Sequence, residues 1–206
     1  MTTATVKNKR TKTNTPTEVA PFSTLTSNDE YTVIGNSLAN SIITGNGNDS
    51  VFGGIGADTI STSLGNDTLD GGVGVDKMTG GEGNDYYLVD NAGDVVIEST
   101  RAGSGLDTVK SKTNYTLGGG VENLKLVGSA LVGFGNSLAN RLVGNSLNNT
   151  LVADLGNDTL DGGLGADRMS GGDGNELYVV DNTGDVVIES ASLSGGIDTV
   201  ESTVNY

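Results

Sequence analysis

The sequence predicts an all-β chain: a right-handed parallel β-roll or β-helix solenoid preceded by a disordered N-terminal leader. Three observations predict it. Residues 35–88 divide without remainder into six blocks of nine: GNSLANSII, TGNGNDSVF, GGIGADTIS, TSLGNDTLD, GGVGVDKMT and GGEGNDYYL. The same frame returns over 135–179 as GNSLANRLV, GNSLNNTLV, ADLGNDTLD, GGLGADRMS and GGDGNELYV. Finally, 33 glycines and only nine aromatic residues in 206 leave too few large side chains for a conventional core, while a thin solenoid core needs fewer.

Residues 1–31 are rich in Thr, Asn and Lys, with Pro16 and Pro21, and read as a flexible leader. Four basic residues (Lys7, Lys9, Arg10, Lys12) fall in the first 12 positions, among no acids. TVIG at 32–35 is expected to enter the first strand, and residues 32–90 form the first array. Spacer rungs follow over 91–134, where DVVIES, DTVKSKTNY and VENLKLVG are short, β-branched and separated by Gly, Asn or Asp. The second array spans 135–181, and further rungs occupy 182–206. A larger repeat contains both arrays: DNAGDVVIES at 90–99 returns as DNTGDVVIES at 181–190. Tyr206 matches Tyr115, so the second copy stops partway through its module, as a fragment or a truncated reading frame would. No segment carries a 3.6-residue apolar period, so little helix is expected.

Within a block, glycines at positions 1, 2 and 4 allow a tight turn. The last three residues make a minimal strand whose middle side chain, at position 8, points inward. Position 8 is Ile42, Val51, Ile60, Leu69, Met78 and Tyr87 in the first array, and Leu142, Leu151, Leu160, Met169 and Tyr178 in the second. Two blocks close one coil of 18 residues, and coils stack about 4.8 Å apart. Position-6 side chains then form columns: Asp49, Asp67 and Asp85 in one, and Asn40, Asp58 and Asp76 in the other. Neighbouring carboxylates at that spacing repel by about 1 kcal/mol in water and by more in a drier turn. A hard divalent cation between turns removes the repulsion, and several Ca2+ ions fit an all-oxygen ligand set better than Mg2+. Zinc does not suit a chain without His or Cys.

Asp49, Asp58, Asp67, Asp76, Asp85, Asp158 and Asp167 are therefore the candidate metal ligands. The expected pairs are Asp49/Asp67, Asp67/Asp85 and Asp58/Asp76. Asn40, Asn140 and Asn149 offer an oxygen without charge, and Glu176 is one methylene longer, so these are weaker ligands. The pairs Asp158/Glu176 and Asn149/Asp167 make the second array the weaker binder. Ser63 and Asp154 replace glycine at position 2.

GGIGADTIS at 53–61 and GGLGADRMS at 162–170 fit the pattern G-G-x-G-x-D-x-U-x at every position. On these motifs the chain resembles the RTX, or haemolysin-type calcium-binding, family over about residues 32–206. The resemblance implies a parallel β-roll, folding on calcium and type I secretion. It also implies that turn carbonyls join the position-6 Asp in binding the ion, here near Gly45, Gly47, Gly54, Gly56, Gly65, Gly72, Gly74, Gly81, Gly83, Gly163 and Gly165.

Charge and composition exclude other classes. The formal net charge is −15, which repels nucleic acid and anionic membrane. No apolar run approaches a membrane span, and the basic N-terminus lacks the apolar core of a cleavable signal peptide. The absence of histidine rules out a Ser-His-Asp triad or a His-based zinc protease, so no enzyme is expected. The expected function is a calcium-binding module of a secreted bacterial protein. The alternative is an extracellular structural or adhesive protein binding a cell surface, a glycan or, through its coil ends, itself. An accessory module of a polysaccharide-modifying enzyme is a remote third reading.

Overall fold

A single apolar side chain per nonapeptide, flanked by polar residues, sets a short strand with one inward position. The computed structural model describes residues 5–8, 22–25, 27–189 and 195–206. It divides into two units, 1–107 and 108–206.

The first unit holds β1 (Thr5–Asn8), β2 (Phe22–Thr24), β3 (Tyr31–Asn36), β4 (Ser41–Ile43), β5 (Ser50–Ile55), β6 (Thr59–Ser61), β7 (Thr68–Val73), β8 (Lys77–Thr79), β9 (Tyr86–Val89) and β10 (Val95–Ile97). Odd strands form one sheet in the order β1-β3-β5-β7-β9, and even strands a second in the order β10-β8-β6-β4-β2. From β3 onward neighbours pair in parallel. Successive blocks thus alternate between sheets and two blocks make one coil. The register stacks Val33, Val51, Leu69 and Tyr87 in one sheet. It stacks Ile42, Ile60, Met78 and Val96 in the other. All eight are buried. This ladder is the core.

The second unit repeats the arrangement with β11 (Thr108–Ser111), β12 (Tyr115–Thr116), β13 (Asn123–Leu126), β14 (Val132–Phe134), β15 (Arg141–Val143), β16 (Thr150–Leu155), β17 (Thr159–Asp161), β18 (Arg168–Asp173), β19 (Leu177–Val180), β20 (Val186–Ile188) and β21 (Thr199–Ser202). Its core column runs Val109, Leu124, Leu142, Leu160 and Tyr178, with exposed Val200 next in register. The facing column runs Gly133, Leu151, Met169 and Val187. Gly133 has no side chain, and Leu124, Leu126 and Leu151 close over it. Each unit is a parallel two-sheet β-solenoid of the β-roll kind. Among the described residues there is no helix, so none is long and apolar enough to cross a membrane.

The N-terminus differs from the expectation. The sequence placed the first strand at 32–35 and left 1–31 as a disordered leader, but two strands lie within that leader. β1 pairs antiparallel with β3, with Thr5 opposite Ile34 and Asn8 opposite Tyr31. β2 pairs in parallel with β4. Backbone pairing of this kind covers the otherwise open edges of β3 and β4, and it depends little on side-chain pattern, so composition did not reveal it. The rest of the expected leader, at 1–4, 9–21 and 26, lies outside the described residues.

Candidate metal centre

The turns between strands carry the position-6 acids, and stacking in 18-residue steps brings them into line. The backbone N–H of Asp49 donates to Asp67 Oδ1 at 2.7 Å, and that of Asp67 to Asp85 Oδ1 at 2.8 Å. In the other column Asn40 N–H donates to Asp58 Oδ1, Asp58 N–H to Asp76 Oδ1 and Asp76 N–H to Asp94 Oδ1, at 2.7, 2.7 and 3.0 Å. The second array repeats this: Asn140 N–H donates to Asp158, Asn149 N–H to Asp167 and Asp167 N–H to Asp185. Every position-6 side chain from Asn40 to Glu176 is buried.

One oxygen of each carboxylate is thus held by the neighbouring rung. The other is not. Oδ2 of Asp49, Asp58, Asp67, Asp76, Asp85, Asp158 and Asp167 is buried without a hydrogen-bond donor. Among the described residues, the ion pairs Arg101 with Glu82 and Arg141 with Asp161 involve none of these carboxylates. Burial is the first cause of raised carboxyl pKa values throughout: Asp76, Asp158 and Asp167 rise to about 6 and Asp85 to about 7. Asp49, Asp58 and Asp67 rise for the same reason.

Orphaned anionic oxygens are what a cation requires, and each of three lies against the position-1 glycine of its own turn. A Cβ on Gly53 would collide with Asp58 Oδ2 and the Gly71 carbonyl oxygen; on Gly71 or Gly162 it would collide with Asp76 or Asp167 Oδ2. The position-1 glycine therefore leaves a cradle that a carboxylate oxygen and a carbonyl of the next rung both reach. This oxygen-only, uncompensated donor set fits calcium. The position-1 carbonyl of Gly71 was absent from the expected ligands. Of those expected, the carbonyls of Gly47, Gly54, Gly56, Gly65 and Gly83 each point at the glycine one rung on, namely Gly65, Gly72, Gly74, Gly83 and Gly105.

The same geometry separates the weaker candidates. The Asn149 amide nitrogen donates to the Ala130 and Leu131 carbonyls, and that of Asn140 to the Val121 and Glu122 carbonyls. These NH2 groups occupy the carbonyls that a cation would otherwise face. Glu176 departs in another way: neither of its carboxylate oxygens meets a donor, and burial, followed by the nearby Asp198, lifts its pKa to about 7.

The family model for the RTX calcium-binding nonapeptide repeat (4 copies) matches residues 34–69, 52–87 and 134–175. The arrays are RTX calcium-binding repeats. The matched segments contain the first unit's columns from Asn40 to Asp85 and the Asp158 and Asp167 turns of the second. No curated protein matches the chain.

The RTX frame runs further than the glycines suggested. Asp94 and Val96 occupy positions 6 and 8 of the block after Leu88, and Asp185 and Val187 do so after Val179. Asp94 and Asp185 continue the acid columns. Asp107 and Asp198 extend the other two after a 22-residue step, accepting from Asp85 and Glu176 N–H. The signal for them was the spacing of Asp and β-branched residues, hidden by the loss of glycine. Glu98 and Glu189 fall outside the frame, and no spacing signals their placement beside the columns.

Proposed function

We propose that the chain is a calcium-folded module of a secreted bacterial protein, held by ions in its RTX turns. The observation that carries this reading is the file of buried Oδ2 atoms without a hydrogen-bond donor. Asp49, Asp58, Asp67 and Asp76 would hold ions in turn sites of the first array, and Asp158 and Asp167 in the second, each with turn carbonyls; Asp85 would hold an ion at the end of its column. Bound calcium supplies the positive charge that lets the acid columns stack. Where calcium is scarce, the glycine-rich anionic chain stays unfolded, which suits passage through an export channel. Where calcium is millimolar, binding and folding are one equilibrium. Without His or Cys, and with its acids recurring at every turn, the module acts by structure and not by catalysis.

Far-ultraviolet circular dichroism during a calcium titration, with magnesium as control, tests the proposal. A coil spectrum that becomes β with calcium alone is expected; a full β spectrum in chelator at low ionic strength would overturn it. A second reading, adhesion or self-association outside the cell, draws on paired apolar side chains left on the surface. Ile55 and Val73 stack in register while 57 % and 62 % exposed. Sedimentation velocity with calcium distinguishes it by a rise in mass above the monomer.

A further inference from the structure

Among the described residues, one acid column in each unit is joined by an acid from outside the nonapeptide frame. Asp85, Glu98 and Asp107 bring carboxylate oxygens within 4.8 Å of one another, and all three residues are buried. Each is anchored through one oxygen by a backbone N–H. Asp67 N–H donates to Asp85 Oδ1 at 2.8 Å, Asp85 N–H to Asp107 Oδ1 at 2.8 Å, and Ser99 N–H to Glu98 Oε2 at 3.1 Å. The Tyr87 hydroxyl donates to Glu98 Oε1. Asp85 is 2 % exposed and its Oδ2 has no donor. That atom converges with Tyr87 Oη and Glu98 Oε1 on the space a Gly80 side chain would fill.

The second unit builds the same cluster from Glu176, Glu189 and Asp198. Tyr178 donates to Glu189 across the same 11 residues that separate Tyr87 from Glu98. Glu176 N–H donates to Asp198 across the same 22 residues that separate Asp85 from Asp107. Glu176 is 2 % exposed with both oxygens lacking a donor. Gly171 takes the place of Gly80, beside the Tyr178 hydroxyl and Glu176. Glu189 is exposed, so this copy is the more open.

We propose that Asp85, Glu98 and Asp107 form a calcium site of a different kind from the RTX turn sites, and that Glu176, Glu189 and Asp198 form its copy. A turn site draws on its position-6 acid and on carbonyls. This one gathers three acidic side chains, one of them from outside the nonapeptide frame. Three carboxylates around one hard cation suit Ca2+. The Tyr87 hydroxyl, by donating to Glu98 Oε1, fixes the orientation of that carboxylate. The greater negative charge makes the Asp85 site the first to fill. The inference rests on the calcium reading above.

The test is equilibrium dialysis of the full chain against Ca2+, with terbium emission excited through tyrosine as a second readout. Glu98→Gln at saturating calcium is expected to keep its β spectrum, hold one ion fewer and lose the tightest-binding step. Tyr87→Phe is expected to keep the ion count but lower the terbium emission. Unchanged stoichiometry and affinity in folded Glu98→Gln overturn the proposal. Should Glu98→Gln fail to fold, Glu189→Gln in the open copy decides: one ion fewer supports the site, and an unchanged count overturns it. A parent chain that binds no calcium overturns the calcium reading and this inference together. A parent that binds calcium beside unaltered variants overturns this inference alone.

Discussion

The Asn149 amide donates to the Ala130 and Leu131 carbonyls, while its own Oδ1 accepts from Asn145 N–H at 2.7 Å. One neutral side chain thereby satisfies a buried turn that an aspartate leaves with an unpaired charge. Position 6 therefore sets, residue by residue, whether a turn's buried side chain is satisfied within the chain or keeps an oxygen without a donor. Asn149→Asp replaces a buried donor by an anionic acceptor and strands the two carbonyls. At limiting calcium the variant is expected to be less stable by about 1–3 kcal/mol, the cost of unsatisfied buried groups. Saturating calcium should narrow the gap, because the new carboxylate and the freed carbonyls face each other. Urea unfolding at low and high calcium measures both; an equal loss under the two conditions would mean the new acid recruits no ion.

At the scale of the element, the turn is built by glycines stacked on carbonyls. Gly65 and Gly83 have φ of +135° and +129°, and each sits against the carbonyl of the glycine one rung before, where a Cβ would collide. Position 2 makes a similar demand. Asp154, which stands there in place of glycine, takes φ 86°, the one positive-φ non-glycine among the described residues. Asp154→Gly should relieve that strain and stabilise the calcium-saturated chain by about 1 kcal/mol. The gain is read as a higher urea midpoint at constant slope; an unchanged midpoint would show that the aspartate already sits without strain. This element is where the sequence was most legible. Position 8 predicted every core residue from Ile42 to Tyr87, and position 6 predicted both acid columns, because period and side-chain chemistry coincide there. Legibility ended where they part. Asp94 and Asp107 keep the acid positions without the glycines. Glu98 reaches the column only through the coil's three-dimensional path. A neutral ladder was also missed: Asn48, Asn66 and Asn84 at position 5 accept N–H groups of Asn66, Asn84 and Leu106 in turn. Asparagine in a turn has many local uses, so its sequence spacing alone did not single out this one.

At the scale of the whole molecule, buried charge links folding to protons and, on the function proposed above, to calcium. The chain carries a formal net charge of −15, and its buried acids hold protons more tightly folded than unfolded. Asp76, Asp158 and Asp167 rise to about 6, Asp85 and Glu176 to about 7 and Glu98 to about 8, burial being the first cause in each. The unfolded values are 3.8 for Asp and 4.5 for Glu. Between these limits the folded chain binds more protons, so stability without calcium falls as pH rises. The protonation contribution is complete below the unfolded values and is lost as pH climbs through about 6 to 8. Calcium requires the same groups deprotonated, so its contribution grows over the window in which that of the protons fades. In chelator, the residual β signal is therefore expected to be higher at pH 5 than at pH 8. At saturating calcium the dependence should flatten or reverse. Circular dichroism in chelator and urea titrations at saturating calcium across that range give the answer. A β signal in chelator that rises with pH would mean the acid columns are already neutralised by something other than protons or calcium.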